Sequence, residues 1–556
     1  MKSFLLSAFC FLLIIPLSQV FAQNPNCYRI TFSDKNDSPY SINRPEEFLS
    51  PRAIAKRERF NIPIIEQDLP VNPHYIDSIL NFSSEPSQII AKSKWNNSIV
   101  IMYQGNDNYQ NIIDEMLEET SFVIDVLHVA IYDSRNISKM SISEQMSNSM
   151  VYNFSCDYDY GNSIDNIKLH KGELLHKAGF CGEGMLICVF DAGYENFNTI
   201  PYFQPLYENG QIWGTRDLVF GLNDVYMEYD PWSGHGTGVM SLMASAIEGQ
   251  VIGSAPKANY FLFRTCPPYN FNQMVEEDFW AQGAEVADSL GADIATTQVG
   301  YRDNFDYPWQ NIYTSDDNDG MTSLISRSAS ILAQKGVVVV VSAGNDGQTK
   351  WHYIGRPADA KDILAVGMVN KNGIVLGGSS YGPSADGRVK PDVAALGSKG
   401  WCVNAAGEIV DWGNGTSASA PLIAGLAACL WQALPQYSSL EITDLIRKYG
   451  DRADNPDDRT GYGIPNFYQC YLDQTYGVTE NVKPEVLVYP NPTTGQLTID
   501  NGELTINNIE IFDIYGRKCQ LSNLISHVSN HLIISSLFRI CQQESIFCGF
   551  KLKTAL

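Results

Sequence analysis

The apolar residues of this chain change their rhythm three times. Behind the basic start Met1-Lys2, Phe4 to Val20 is mostly apolar, and Val20-Phe21-Ala22 precedes Gln23. From Gln23 to about residue 150 the runs are short: Tyr28 to Phe32 and Asn97 to Tyr103 predict strands, and Glu46 to Arg59 predicts a basic helix. From about residue 166, apolar strands alternate with helical segments. Gly184 to Phe190 predicts a strand ending at Asp191, and Thr237 to Ile247 a helix. Ala258 to Arg264 predicts a strand, Gln273 to Leu290 a helix and Ala292 to Val299 a strand. Met321 to Lys335 predicts a helix leading into the β-branched run Val337 to Val341. Such alternation, with strands apolar at nearly every position, predicts an α/β fold: a parallel sheet covered by helices on both faces. After Thr475 the pattern breaks again into Val486 to Tyr489, Gln496 to Ile499, Ile509 to Ile514 and Leu532 to Ser535, short strands between Pro and Gly turns. That predicts a small β-sandwich.

Length and charge sharpen this picture. At 556 residues the chain has room for about three or four domains. Its formal net charge of -24 argues against nucleic acid or an anionic membrane surface as partner. Residues 1–22 read as a cleaved secretory signal; the apolar segment is short and interrupted by Pro16, Ser18 and Gln19, so it does not predict a membrane span. No later segment is long and apolar enough to cross a bilayer. Beyond Cys10 the chain carries cysteines at 27, 156, 181, 188, 266, 402, 429, 470, 519, 541 and 548, none in a C-x-x-C pair, so a zinc site is not expected. Export permits disulfides, with at least one thiol left over from the odd count. Cys188 and Cys429 lie in apolar runs and are expected in the core.

Four polar residues stand in settings that suit chemistry. Ser417, in Asn414-Gly415-Thr416-Ser417-Ala418-Ser419-Ala420-Pro421, heads the apolar helical run Pro421 to Leu434. There its hydroxyl would meet the unpaired N–H groups and positive dipole end of a helix, as a nucleophile needs and as a simple N-cap also would. Asp191 ends a strand beside the Ala192-Gly193 turn, where a turn-forming Asp is equally at home. His235 sits between glycines in Ser233-Gly234-His235-Gly236, which lets other groups approach the ring, though a lone histidine is often structural. Asn345 follows a buried strand in Ser342-Ala343-Gly344-Asn345, a position that also suits a turn. His74 and His128 have no such pattern. The order Asp191, His235, Ser417, with gaps of 44 and 182 residues, is one of the known orders of an Asp–His–Ser triad.

These residues and their surroundings closely resemble the subtilase family of serine peptidases, over roughly residues 165 to 470. Gly253-Ser254-Ala255-Pro256 and Gly382-Pro383-Ser384-Ala385-Asp386-Gly387 to Asp392 look like landmarks of the same family. The resemblance implies a subtilisin-like fold and an endopeptidase in which Ser417 is nucleophile, His235 general base, Asp191 the residue orienting it and Asn345 an oxyanion donor. It also implies substrate binding along Gln298, Val299 and Gly300. Three departures are visible: Ala192 where Ser or Thr is usual, Ala418-Ser419 where Met-Ala is common, and Thr297-Gln298-Val299-Gly300 where Ser-Leu-Gly is usual. Substrate preference therefore does not carry over. All four catalytic positions are present, which argues against the competing class, a silent binding protein on the same fold. Gly378-Ser379-Ser380-Tyr381-Gly382 fits the G-x-S-x-G pattern, but the only downstream histidines are His527 and His531 in the tail, so it fails as a nucleophile elbow. Asp316-Asp317-Asn318-Asp319-Gly320 resembles a calcium loop, but Ser315 and Ser326 would be the wrong end ligands. No metal or other cofactor is expected from the residues; the resemblance alone allows structural calcium.

Residues 23–150 resemble a subtilase propeptide, which implies an intramolecular inhibitor. Val488-Tyr489-Pro490-Asn491-Pro492 with Ile511 to Arg517 resembles the C-terminal sorting domain of the type IX (Por) secretion system of Bacteroidetes. The closing residues Ser535 to Leu556 depart from that pattern. The expected division is 1–22 signal, 23–150 propeptide, 151–478 peptidase and 479–556 sorting domain. Expected partners are protein or peptide substrates, the chain's own propeptide and the type IX machinery. The expected location is secreted or cell-surface, or the periplasm if the altered end disables the tail.

Overall fold

The computed structural model describes residues 25–82, 87–103, 109–131, 156–227, 232–267 and 272–476, and the backbone of seven strands between 487 and 554. The expected signal 1–22 and the expected boundaries at 150 and 478 lie outside the described residues. The chain divides into two units, Met1–Thr475 and Tyr476–Leu556.

The larger unit is organised by one wholly parallel sheet of seven strands. Their spatial order is Val393–Leu396, Leu364–Val369, Val338–Ser342, Ile294–Thr297, Leu186–Asp191, Asn259–Arg264 and Ile212–Asp217. Alternate residues of these strands feed two separate cores. Ile187, Val189, Leu262 and Val340 pack with residues of the helices His235–Ala244 and Thr416–Ala433. Leu186, Cys188, Phe190 and Val341 pack with those of Val275–Leu290 and Leu324–Gln334. The expected α/β architecture is therefore the observed one. Cys188 and Cys429 are fully buried, while Cys156 and Cys181 form a disulfide. From Leu186–Asp191 the chain winds first to one side of the sheet and then returns to the other. Asp191 thus stands at a topological switch point, where open parallel sheets form their sites.

Several predicted boundaries move for local reasons. The basic helix begins at Pro51 rather than Glu46, because Ser50 caps it by accepting the Ala53 N–H at 3.2 Å and Pro51 supplies the fixed φ of a first turn. The histidine helix starts at His235 itself and ends at Ala244, since Ala246–Ile247 pairs with Val251–Ile252. The strand expected over Ala292 to Val299 spans only Ile294–Thr297, which leaves Gln298 to Gly300 beyond its end.

The N-terminal module forms an antiparallel sheet in the order Ser87–Ser93, Ser98–Tyr103, Asn26–Phe32 and Val123–Ile131. One face (Tyr28, Ile30, Phe32, Ile99, Ile101) is covered by its own helices Pro73–Leu80 and Tyr109–Glu119. The other (Cys27, Ala91, Val100, Met102, Val129) merges with the core around Val275–Leu290. Buried charges pair across that junction. Arg29 bonds both oxygens of Asp278 at 2.6 Å, and Arg57 spans Asp68 at 2.9 Å and Asp288 at 2.8 Å. Glu285 accepts from the Ser93 hydroxyl at 2.6 Å and from the N–H groups of Lys94 and Trp95 at 2.8 and 3.0 Å. Burial would raise the Asp68 carboxyl, but Arg57 and Lys335 bring it down to about 2.

The C-terminal unit contains two antiparallel sheets, as the sandwich reading expects. One has the order Leu487–Tyr489, Gln496–Asp500, His531–Ser535, Ile525–Val528, and the other Lys518–Cys519, Ile506–Phe512, Gly549–Thr554. The closing segment that departs from the sorting pattern thus supplies a strand, Gly549–Thr554, paired along Ile506–Phe512.

Candidate active site

The helix Thr416–Ala433 is apolar on every side and buried from Thr416 to Trp431, which makes it a core helix rather than an amphipathic one. Its N-cap is Gly415, with no side-chain capping bond, and Ser417 is its second residue. The cap role open to Ser417 in sequence is therefore not the one it plays. Ser417 is 8% exposed.

At the end of the central strand Asp191 is fully buried, and its Oδ1 accepts from His235 Nδ1 at 2.7 Å and from the Ala192 N–H at 2.8 Å. The other oxygen, Oδ2, is buried without a hydrogen-bond partner, and Ala192 carries no hydroxyl that could serve it. Burial lowers the proton affinity of His235, but the charge and hydrogen bond of Asp191 outweigh it and hold the imidazole above the ordinary histidine range. The glycines around His235 make this approach possible. A methyl on Gly236 would lie 2.4 Å from the Gly193 carbonyl oxygen, and one on Gly238 would lie 2.5 Å from the Trp412 ring.

Trp412 links this pair to the serine turn. Its ring meets His235 edge-on, with centroids 5.4 Å apart, and its Nε1 would lie 3.4 Å from a methyl on Gly415. Asn345 reaches the same turn from the end of Val338–Ser342: its Oδ1 accepts from the Thr416 N–H at 2.9 Å and the Thr416 hydroxyl at 3.1 Å. Thr416 Oγ1 in turn accepts from the Gly344 N–H at 3.2 Å. With its oxygen fixed, the Asn345 side chain is left with Nδ2 to donate, and a methyl on Gly415 would lie 3.9 Å from that nitrogen. Asp191, His235, Asn345 and the Ser417 turn are thus gathered at the carboxyl edge of the sheet.

Gln298 turns its side chain into the fold. It is 7% exposed, and its Nε2 donates inward to Thr296 Oγ1 at 2.9 Å. Val299 is half-buried, and Gly300 is exposed. The rejected serine motif has a supporting role: Ser380 Oγ accepts the Asp346 N–H at 2.9 Å and so backs the Asn345 turn. Side chains of the acidic loop bond the chain itself. Asp317 caps Thr314, Asp319 accepts the N–H groups of Met321 and Thr322, and Asn318 bonds the Ile354 carbonyl. The roles of Thr416, inside the quoted serine motif, and Trp412, just before it, were missed in sequence; nothing local marks Thr416 as the latch of a residue 71 positions away.

Three stretches of the chain match models of known families. Residues 182–463, just over half of the chain, match the model of the subtilase family. Residues 27–147 match the peptidase S8 propeptide domain of Bacteroidota, and 487–538 the secretion system C-terminal sorting domain. The chain belongs to the subtilase family of serine peptidases. It is 26% identical over 273 residues to the membrane-bound transcription factor site-1 protease of Mus musculus, covering 47% of this chain and 22% of that protein. It is 26% identical over 314 residues to the serine protease AprX of Bacillus subtilis (strain 168), covering 52% of this chain and 64% of that one. Among solved structures, the epidermin leader peptide processing serine protease of Staphylococcus aureus has a similar fold. The TM-score is 0.52 at 13% identity, over 81% of this chain and 99% of that one.

Proposed function

We propose that this chain is an exported subtilisin-like serine endopeptidase that hydrolyses peptide bonds through an acyl-enzyme on Ser417. The observation that carries the reading is the Asp191–His235 pair at 2.7 Å beside a helix start that bears Ser417 and is latched to Asn345. His235 takes the Ser417 proton as Oγ attacks the substrate carbonyl, and the oxyanion is met by Asn345 Nδ2 and the Ser417 N–H. Collapse breaks the C–N bond, and His235 passes its proton to the leaving amine. Water then repeats the sequence against the acyl ester, releasing the carboxylic acid and restoring Ser417. Asp191 keeps the imidazole in the tautomer that presents Nε2 and stabilises its charged form. Substrate main chain runs along Val299 and Gly300, with Gln298 shaping the strand end from within.

In this reading residues 1–22 are the signal, 23–150 an intramolecular inhibitor, 151–478 the peptidase and 479–556 the sorting domain. Partners are protein or peptide substrates, the chain's own N-terminal module and the type IX secretion machinery. The destination is the cell surface or medium. A reporter carrying residues 479–556 exported past the outer membrane supports that destination; retention in the periplasm supports the alternative. The mechanism is tested by self-processing. The unaltered chain sheds its N-terminal module, while Ser417→Ala stays full length; identical processing of both would refute it.

A further inference from the structure

We infer that Arg264 is a positioning residue for the Asp191–His235 pair, bracing from inside the fold the two segments that carry them. This rests on the reading above and names a residue to which no catalytic motif points. In the sheet register Arg264 is the direct partner of Asp191 on the adjacent parallel strand, and its neighbour Thr265 donates its N–H to the Asp191 carbonyl at 3.1 Å. Its guanidinium is 1% exposed and lies against the turn that follows Asp191: a methyl on Gly193 would sit 2.7 Å from Nη2. Nη1 donates to Asp217 Oδ2 at 3.0 Å, while Nη2 donates to the carbonyls of Val225 and Met227 at 3.0 and 3.2 Å.

One of the bonded carbonyls, that of Val225, also holds the turn that follows the acid. The Tyr194 N–H donates to the Val225 carbonyl at 2.9 Å, and that same oxygen receives Arg264. The Glu195 N–H donates to the Ser233 carbonyl at 2.9 Å, and the Gly236 N–H to the Gly193 carbonyl at 3.0 Å. The Asp191–Glu195 turn is therefore stitched to the approach to His235, and Arg264 holds the stitching from below. Asp217, the anchor of the guanidinium, is fully buried and also accepts the N–H groups of Val219 and Phe220, each at 3.0 Å. A fixed planar fork can serve a carboxylate and two carbonyls at once, and a lysine ammonium cannot reproduce that geometry.

The test compares Arg264→Lys, Asp217→Asn and their combination in the full-length chain. It uses turnover of quenched dye-labelled casein and the rate of covalent labelling by a fluorophosphonate probe. A misplacement of about 1 Å away from the reacting atoms can cost about 100-fold. We therefore expect Arg264→Lys to lower kcat and the labelling rate together by roughly 10- to 100-fold, with KM within about twofold. Asp217→Asn, which keeps both carbonyl bonds, should lose less, and the double variant should lose less than the product of the singles. Arg264→Lys that labels and turns over at the unaltered rate per folded molecule would overturn the inference. If it does not fold, an unaltered rate in Asp217→Asn would do so. If the unaltered chain is active but never labels at Ser417, it is the proposed mechanism that fails instead.

Discussion

Replacing Arg29 by Met should weaken the hold of the N-terminal module on the peptidase more than any surface change there. The Arg29 and Asp278 side chains are 7% and 2% exposed, and they meet through two bonds of 2.6 Å. Arg29→Met deletes the cation but leaves the carboxylate in the merged core. Breaking such a buried pair costs about 3–5 kcal/mol, most of it the penalty of the stranded charge. At 1.4 kcal/mol per tenfold, that is roughly a 100- to 4,000-fold loss in the docking equilibrium. Arg29→Met with Asp278→Leu removes both charges and should recover most of the loss, because an apolar replacement of similar volume is often neutral. Urea unfolding of the Ser417→Ala chain, which stays uncut in the proposed mechanism, measures each variant against its parent. A loss below about 1 kcal/mol for Arg29→Met, the range of an exposed pair, would refute the reasoning. So would a double variant no better than the single.

Asn345→Ala should lower kcat by roughly 100- to 1,000-fold with little change in KM, since the lost donor acts on charge present only in the transition state. Steady-state kinetics with a peptide substrate checks it. His235 must be neutral to accept the Ser417 proton, and Asp191 holds its pKa up, so kcat/KM should rise with pH through a midpoint above about 6.5. Asp191→Asn should move that midpoint downward as well as slow the reaction. Burial pushes Glu276 up to about 8 and Glu277 up to about 7. Their contribution to stability is therefore fully present below about 4.3 and is lost as pH rises through about 7 and then 8. Thermal unfolding across this range should fall less steeply in Glu276→Gln.

Much of the site was legible because its chemistry is packed into short segments. Val189-Phe190-Asp191-Ala192-Gly193 carries its own strand end and turn, and Ser233 to Gly238 its own helix start, so each announces its geometry locally. The sheet was readable for the same reason, since strands apolar at every position require two covered faces. What could not be read depends on partners distant in sequence. Asn345 is oriented by Thr416, Arg29 is buried by Asp278, and Arg264 earns its position only through strand register and the Val225–Met227 carbonyls. The direction of the Gln298 side chain was not readable either: its place in the motif fixes where its backbone lies, whereas its amide bonds Thr296 inside the fold.

The central claim is that Ser417, activated by His235 and Asp191, is the attacking group. Labelling the full-length chain with a fluorophosphonate and mapping the adduct by peptide mass spectrometry tests it most directly. The account predicts one adduct, on Ser417, lost in Ser417→Ala and strongly slowed in His235→Ala. An adduct on another serine such as Ser380, or peptidase activity that survives Ser417→Ala, would contradict it.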